Sequence, residues 1–386
     1  SMRGFDHLLA FDPDTGQLVA EAGVSLAKII ATTLPRGWFP MVTPGTKFVT
    51  LGGAIAADVH GKNHHQQGGF GSCVEWIEIL TAEGETKRAS ASENSDLFDW
   101  TIGGMGLTGI ILRAAIRLRP VSSAWITQQT LPMDNLGQVM AAFETHSAAP
   151  YSVAWIDCLA KGADLGRSLL LLGDHAPVEA LPETARDRPL DCPAKPARAL
   201  PAGLPGWALN RWSLRAFNSL YYAHQSRNAG EKLVDWDSYF YPLDAILGWN
   251  RIYGRQGFVQ FQCVLPPDRA EPGLRALLSA TAEAGRGSFL AVLKRMGPQD
   301  SRFSFPMEGY TLALDFPVNP AVLRLMSKLD AITLDHGGRF YLAKDARLSA
   351  RDFAASEPRL SEFSKMRETT GAKARFGSAQ SRRLQF

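Results

Sequence analysis

Residues 44–72, PGTKFVTLGGAIAADVHGKNHHQQGGFGS, decide how the rest of the chain is read. The first half is made largely of small residues, which let a large ligand approach the backbone and meet its N–H groups. The second half holds His60, His64 and His65 among Gly61, Gly68, Gly69 and Gly71. His60 and His64 have the i, i+4 spacing of a metal-binding helix. The glutamate of an HExxH pattern is missing, however, and the glycines oppose a sustained helix. A metal site is therefore set aside. The stretch reads as the wall of a ligand pocket or as a solvated polar loop.

Composition narrows the classes. A chain of 386 residues exceeds one ordinary core and predicts two domains. With 45% hydrophobic and 20% charged residues it is a globular composition, and a net charge of +3 gives no argument for nucleic acid. Cys73, Cys158, Cys192 and Cys263 are scattered without a CxxC pair, so they read as thiols. No signal peptide is read, and no apolar run is long enough to span a bilayer.

Outward from the opening stretch, the pattern predicts a first unit over 1–124. It begins as strand, turn at Asp14–Gly16, strand and helix. VEWIEILTAEGETKRA is a hairpin bending at Glu83–Gly84, and SDLFDWTIGG a helix capped by Ser95 or Asp96. In IILRAAIRLRP, Leu112, Ala114, Ile116 and Leu118 oppose Arg113, Arg117 and Arg119, as in a half-exposed strand. A second unit covers 125–338, with a proline-rich mobile loop at 174–206 and an aromatic amphipathic helix, WALNRWSLRAFNSLYYAHQ. Strands follow at GFVQFQCVLP, SFLAVLKRMG, GYTLALDFP and RFYLAKDARL, with Lys294 ending the second of these. Residues 339–386 return to the first unit.

GMGLTG, residues 104–109, matches GxGxxG literally. A Rossmann site needs a strand before the motif and a helix after it. Here a helix precedes and a strand follows, so the Rossmann reading fails and a second glycine-rich turn remains.

Two glycine-rich backbones separated by a hairpin resemble the vanillyl-alcohol-oxidase-type FAD-linked oxidoreductases. VTPGTKFVTLGGAIAADVHGKNHHQQGGFGS and DLFDWTIGGMGLTGII carry that likeness. It continues through YPLDAILGWNRIYGRQGFVQFQCVLP, GYTLALDFP and GGRFYLAKDAR, over nearly the whole chain. The implied fold is α+β: a PCMH-type FAD-binding domain, and a substrate domain with an antiparallel sheet and helices. The resemblance implies non-covalent FAD held by Pro44, Gly45, Thr46, Thr50, Gly52, Gly53, His60, Gly61, Asn63, Gly104, Gly106, Gly109, Ile110 and Tyr341.

Independently, alternation in GFVQFQCVLP places Val259, Phe261, Cys263 and Leu265 toward a core. Gln260 and Gln262 fall together on the other face, as suits a cavity that bonds sugar hydroxyls. Tyr310, Leu312 and Leu314 alternate in the same way with Thr311, Ala313 and Asp315. The resemblance makes Gln260, Gln262, Lys294, Thr311, Ala313 and Tyr341 substrate contacts, and Lys344 and His60 catalytic. It gives His64 and His65 no role.

The implied reaction removes hydride from the 2′-hydroxyl carbon of a polyprenyl-phosphoryl ribose, leaving a ketone for a separate NAD(P)H-dependent reductase. The expected location is cytoplasmic or peripheral at the inner membrane, where the proline-rich loop and aromatic helix contact lipid. Two departures stand out. Family members open with a further subdomain whose glycine-rich turn binds the FAD diphosphate; nothing here matches it, which predicts weaker flavin retention. Some members also carry, at the position of Ala313, a cysteine that nitro-aromatic inhibitors trap. An aldonolactone or alditol oxidase, and a flavin-free binding protein, stay open as alternatives.

Overall fold

The computed structural model describes residues 2–192, 198–199, 211–254, 256–288 and 290–386, and shows an α+β fold built on two large antiparallel sheets. The first contains β1 (Leu8–Phe11), β2 (Gln17–Glu21), β3 (Trp38–Pro40), β4 (Val74–Leu80), β5 (Thr86–Ser90) and β6 (Ile110–Pro120). Its order is β1-β2-β6-β4-β5, with β3 also pairing to β6. β6 is central, pairing with β2, β3 and β4, and it keeps the alternation seen in the sequence. Ile116 and Leu118 sink into a core with Leu18 and Ile77, while Arg113 and Arg117 point out toward Glu78 and Glu75. The β4–β5 bend uses Gly84 at φ 85°, a conformation that favours glycine.

Two helices cover the buried face. Leu26–Thr33 is capped by Ser25, whose hydroxyl accepts from the Lys28 N–H; Leu51–Ala56 is capped by Thr50, which accepts from the Gly53 N–H. A Cβ at Gly52 would stand 2.8 Å from that of Ala22, so glycine sets the close approach to β2. The helix Ser95–Thr101 departs from expectation at its start. Its cap is Asn94, at φ 48° and without a side-chain bond, rather than Ser95 or Asp96.

The second sheet is larger. It contains β7 (Trp125–Met133), β8 (Tyr151–Ile156) and β9 (Ser168–His175), and a separate parallel pair is formed by β10 (Arg198–Ala199) and β12 (Ile246–Leu247). β11 (Gly230–Asp235), β13 (Phe258–Leu265), β14 (Val292–Met296), β15 (Gly309–Pro317) and β16 (Arg339–Phe340) complete it, in the order β11-β7-β9-β8-β14-β15-β13-β16. Helices Pro267–Ala284 and Pro320–Asp335 supply Leu274, Leu277, Val322 and Leu329 to a core shared with Phe261, Cys263, Leu293, Leu312 and Leu314. Each such side chain contributes roughly 1.5–3 kcal/mol by burial. Core packing on this face turns Gln260, Gln262, Lys294, Thr311, Ala313 and Asp315 to the other.

Three expectations need correction. Lys294 lies in the middle of β14, not at its end. RFYLA is a strand only at Arg339–Phe340; the chain then tightens into a 3-10 turn, Leu342–Lys344. The described part of 174–206 is not a plain loop. β9 runs to His175, short turns follow at Val178–Ala180 and Glu183–Arg186, and Leu181 is buried. Leu190 and Cys192 pack on a cluster containing Ile30 and Phe39. The rest of that segment, apart from 198–199, and the aromatic helix before Arg211 lie outside the described residues.

The sheets meet at an aromatic junction. Phe39 stacks on Phe240 at 5.2 Å, Tyr151 meets Phe240 edge-on at 4.9 Å, and Arg119 donates to the Tyr151 hydroxyl at 2.6 Å. The residues 339–386 join both sides: β16 pairs with β13, while Arg367 donates to the Leu107 carbonyl.

Candidate active site

Placement of His60 begins with the glycines around it. Gly61 packs so tightly that a Cβ there would lie 2.6 Å from the Thr43 carbonyl oxygen, so glycine permits the close approach of this segment to Thr43. His60 is then carried across to the second sheet. Its Nε2 lies 2.9 Å from the Gln262 amide nitrogen, and that amide also donates to the Thr311 hydroxyl at 3.0 Å. Its ring stands 5.0 Å from Tyr341, edge-on, and 5.5 Å from Phe305. Nδ1 is buried without a hydrogen-bond partner.

Two lysines, Lys294 and Lys344, act on this imidazole, and a third, Lys62, feels the charge of Lys294. Lys62 donates to the Tyr239 carbonyl and lies 4.0 Å over the Tyr239 ring. Burial and then the charge of Lys294 bring its pKa down to about 7. Lys294 falls to about 7 through burial and then the charge of Lys344. Lys344 is lowered by burial and partly restored by Asp315. Burial, followed by the charges of Lys294, His64 and Lys344, holds His60 well below its usual range, so it is neutral at physiological pH. Asp315 accepts from the Gln260 amide at 2.8 Å, and burial raises its pKa.

Phe340 and Tyr341 line two small clefts. One is lined by Ala57, Gly103, Met105, Phe305 and Tyr341, between the glycine-rich turns and the second sheet. The other is lined by Gln260, Gln262, Tyr341 and Lys344. The structure thus brings together His60, Gln260, Gln262, Lys294, Thr311, Tyr341 and Lys344. Ala313 pairs with Gln262 across β13 and β15, on the same face.

The glycine-rich residues divide in two. Gly45, Gly53, Gly106 and Ile110 are exposed, and nothing lies within 4 Å of a Cβ built on Gly45 or Gly106. Gly61, Asn63, Gly104 and Gly109 are buried: Asn63 donates to the Met41 carbonyl, and a Cβ on Gly104 or Gly109 would strike Trp100 or Ile79. Pro44 is half-buried, Thr46 bonds Asp244, and Thr50 and Gly52 shape the helix start. Buried glycines shape the turns, and exposed ones leave backbone open to a ligand.

These residues fit a flavin. Open backbone at Gly45 and Gly106 suits an extended cofactor, and the cluster of cations suits a ring that gains negative charge on reduction. Lys62, Asp58, Asp315 and Gln299 were not singled out in the sequence. Lys62 sits two residues from His60, and Asp315 shares the period-two face of Thr311, so both left a local signal. Gln299 left none.

Comparison with known proteins agrees. Residues 1–90 match the FAD-binding domain family described as "FAD binding domain", and FAD is the cofactor. Decaprenylphosphoryl-β-D-ribose oxidase of Mycolicibacterium smegmatis is 36% identical over 389 residues, covering all of this chain and 84% of the relative. An uncharacterised protein from the mprA 5′ region of Streptomyces coelicolor is 34% identical over 373 residues, covering 94% of this chain and 100% of that one. Cytokinin dehydrogenase 5 of Arabidopsis thaliana is 31% identical over 109 residues, or 28% of this chain and 20% of its own.

Proposed function

The chain belongs to the decaprenylphosphoryl-β-D-ribose oxidase family of FAD-dependent oxidoreductases, and we propose that it oxidises the 2′-hydroxyl of a polyprenyl-phosphoryl ribose to the ketone. The observation that carries this reading is the convergence of a neutral His60 with Gln262, Tyr341, Lys294 and Lys344. When bound, FAD supplies the hydride acceptor.

The residues of the chain divide the remaining work. Gln260 and Gln262 present amides to sugar hydroxyls, and their neutrality suits an uncharged ribose. His60, neutral and with its lone pair on Nε2 accepting from the Gln262 amide, takes the hydroxyl proton there once the substrate hydroxyl replaces that amide. Lys344 and Lys294 offset negative charge on the oxygen as that proton leaves and near the cofactor as it is reduced. Phe305 and Tyr341 keep water from the His60 ring.

The product is a 2′-keto sugar, and a separate NAD(P)H-dependent reductase completes epimerisation. The substrate's lipid tail brings the chain to a membrane surface. Supporting this, the helix Arg211–Arg227 exposes Trp212, Phe217 and Leu220. No helix among the described residues is long and apolar enough to cross a membrane.

Anaerobic mixing of the holoenzyme with polyprenyl-phosphoryl ribose is expected to bleach the flavin and yield a lipid product two hydrogens lighter. Bleaching by an aldonate lactone or alditol, with none by the lipid sugar, would overturn the reading in favour of a soluble-sugar oxidase.

A further inference from the structure

Asp58 is fully buried at φ 40°, two residues before His60. Its Oδ1 accepts from the Gly71 N–H at 2.8 Å, and its Oδ2 from the Gln299 amide at 2.7 Å. Gln299 belongs to the segment that leaves β14, five residues beyond Lys294. Its Oε1 accepts from the Gly69 N–H at 3.0 Å and lies 2.8 Å from His64 Nε2. A backbone N–H can only donate, so the amide oxygen must face Gly69 and the amide nitrogen Asp58. His64 must therefore carry its proton on Nε2. Its Nδ1, also buried and without a partner, keeps a lone pair. The His60 and His64 rings stand 6.4 Å apart, nearly perpendicular.

We propose that Gln299 is a positioning residue for His60. It crosses from the substrate-side sheet, fastens the Asp58–Gly69 turn, and fixes both the register of His60 against Lys294 and the tautomer of His64. The proposal rests on His60 being the proton acceptor. Its physical basis is that one amide bonds three groups, all of them on the segment that carries His60. Removing it takes the Gln299 bond from the Oδ2 of a buried carboxyl and the Nε2 partner from a buried imidazole in the same stroke.

The groups facing His64 are Lys294 and Arg295 on β14, and His60 and His65 on its own segment; burial brings its pKa to about 4. A carboxylate placed against its Nε2–H raises that value. His64 then becomes cationic at a higher pH and suppresses proton uptake by His60.

The test exchanges the two partners. In flavin-loaded protein, Gln299→Leu is expected to slow flavin reduction by polyprenyl-phosphoryl ribose at least about 10-fold, while lipid-sugar binding changes far less. The double variant Asp58→Asn with Gln299→Glu remakes the bonds to Gly69, Gly71 and His64 and the bond between positions 58 and 299. The new amide at position 58 donates where the glutamine did, and the new carboxylate at position 299 accepts where the glutamine oxygen did. This variant is expected to recover most of the rate, with the acid limb of the pH profile moved upward. An unchanged rate in Gln299→Leu, or a thermally stable double variant that recovers neither rate nor shifted limb, would overturn the proposal. Nitrogen-15 spectra of labelled histidines separate this from the substrate reading. Should the lipid sugar prove inert, His64 is still expected as the Nε2–H tautomer in wild type and mixed in Gln299→Leu; identical tautomers in the two would sink the clamp by itself.

Discussion

At the residue scale, Lys294 works against stability. Its folded pKa of about 7 lies below the unfolded value. Between that pH and the ordinary lysine range the unfolded chain binds more protons, so stability rises with pH across this window and the cost is full below it. Lys294→Met is therefore expected to raise the melting temperature at pH 6 and flatten its climb toward pH 10, while lowering turnover. A melting temperature lower than wild type at pH 6 would contradict the buried-charge account. Lys344→Met keeps the aliphatic stem and removes the charge. Loss of a charge-assisted contact worth about 1.5–3 kcal/mol predicts roughly a 10- to 150-fold slower flavin reduction with flavin still bound. Stopped-flow rates at saturating substrate check it. The three buried thiols should stay silent: Cys73, Cys158 and Cys263 are pushed up to about 12, chiefly by burial. A nitro-aromatic inhibitor reduced during turnover is expected to leave the intact mass unchanged, and Ala313→Cys to create an adduct.

At the element scale, the glycine-rich turns hold two kinds of glycine, and substitution should separate them. Gly45 has open space where a side chain would go, so Gly45→Val is expected to leave the melting temperature of the flavin-free chain nearly unchanged and weaken FAD binding. Gly61→Ala meets the Thr43 carbonyl oxygen and should cost about 1–3 kcal/mol with or without flavin. Paired flavin titrations and thermal melts distinguish these outcomes; a Gly45→Val chain that binds FAD normally would move the cofactor away from that loop. The 3-10 turn of Lys344 is held the same way, from outside. Gln380 donates to the Leu342 carbonyl at 2.7 Å, and Arg383 pairs with Asp345. The helix Ala379–Leu384 thus fixes the turn from which Lys344 projects.

At the scale of the whole molecule, the proposed site exists because two sheets meet. His60 and Lys62 come from the first unit, and Gln262, Lys294 and Tyr341 from the second sheet and the chain that leaves it. The exposed apolar side chains of Arg211–Arg227 give the molecule one face suited to lipid. Leu220→Glu is expected to reduce sedimentation with anionic phospholipid vesicles severalfold without changing flavin content. Equal sedimentation of both proteins would remove that helix from the membrane reading.

Sequence pattern alone determined the local geometry. Period-two alternation placed Gln260 and Gln262 on one face of β13, and the helix-before, strand-after context of GMGLTG excluded a dinucleotide fold. These are short-range steric and burial effects, visible over a few neighbours. The turn at Lys344 and the short extent of β16 were hidden, because RFYLA has the same alternation as a longer strand, whereas in the fold it pairs with β13 only at Arg339 and Phe340. Gln299 was hidden more deeply. An amide in a polar loop looks alike in any sequence, and what distinguishes it is a carboxyl, an imidazole and a backbone N–H some 230 to 241 residues away. The lowered lysines share that cause, since burial and mutual repulsion arise only where two sheets close over charges that are far apart along the chain.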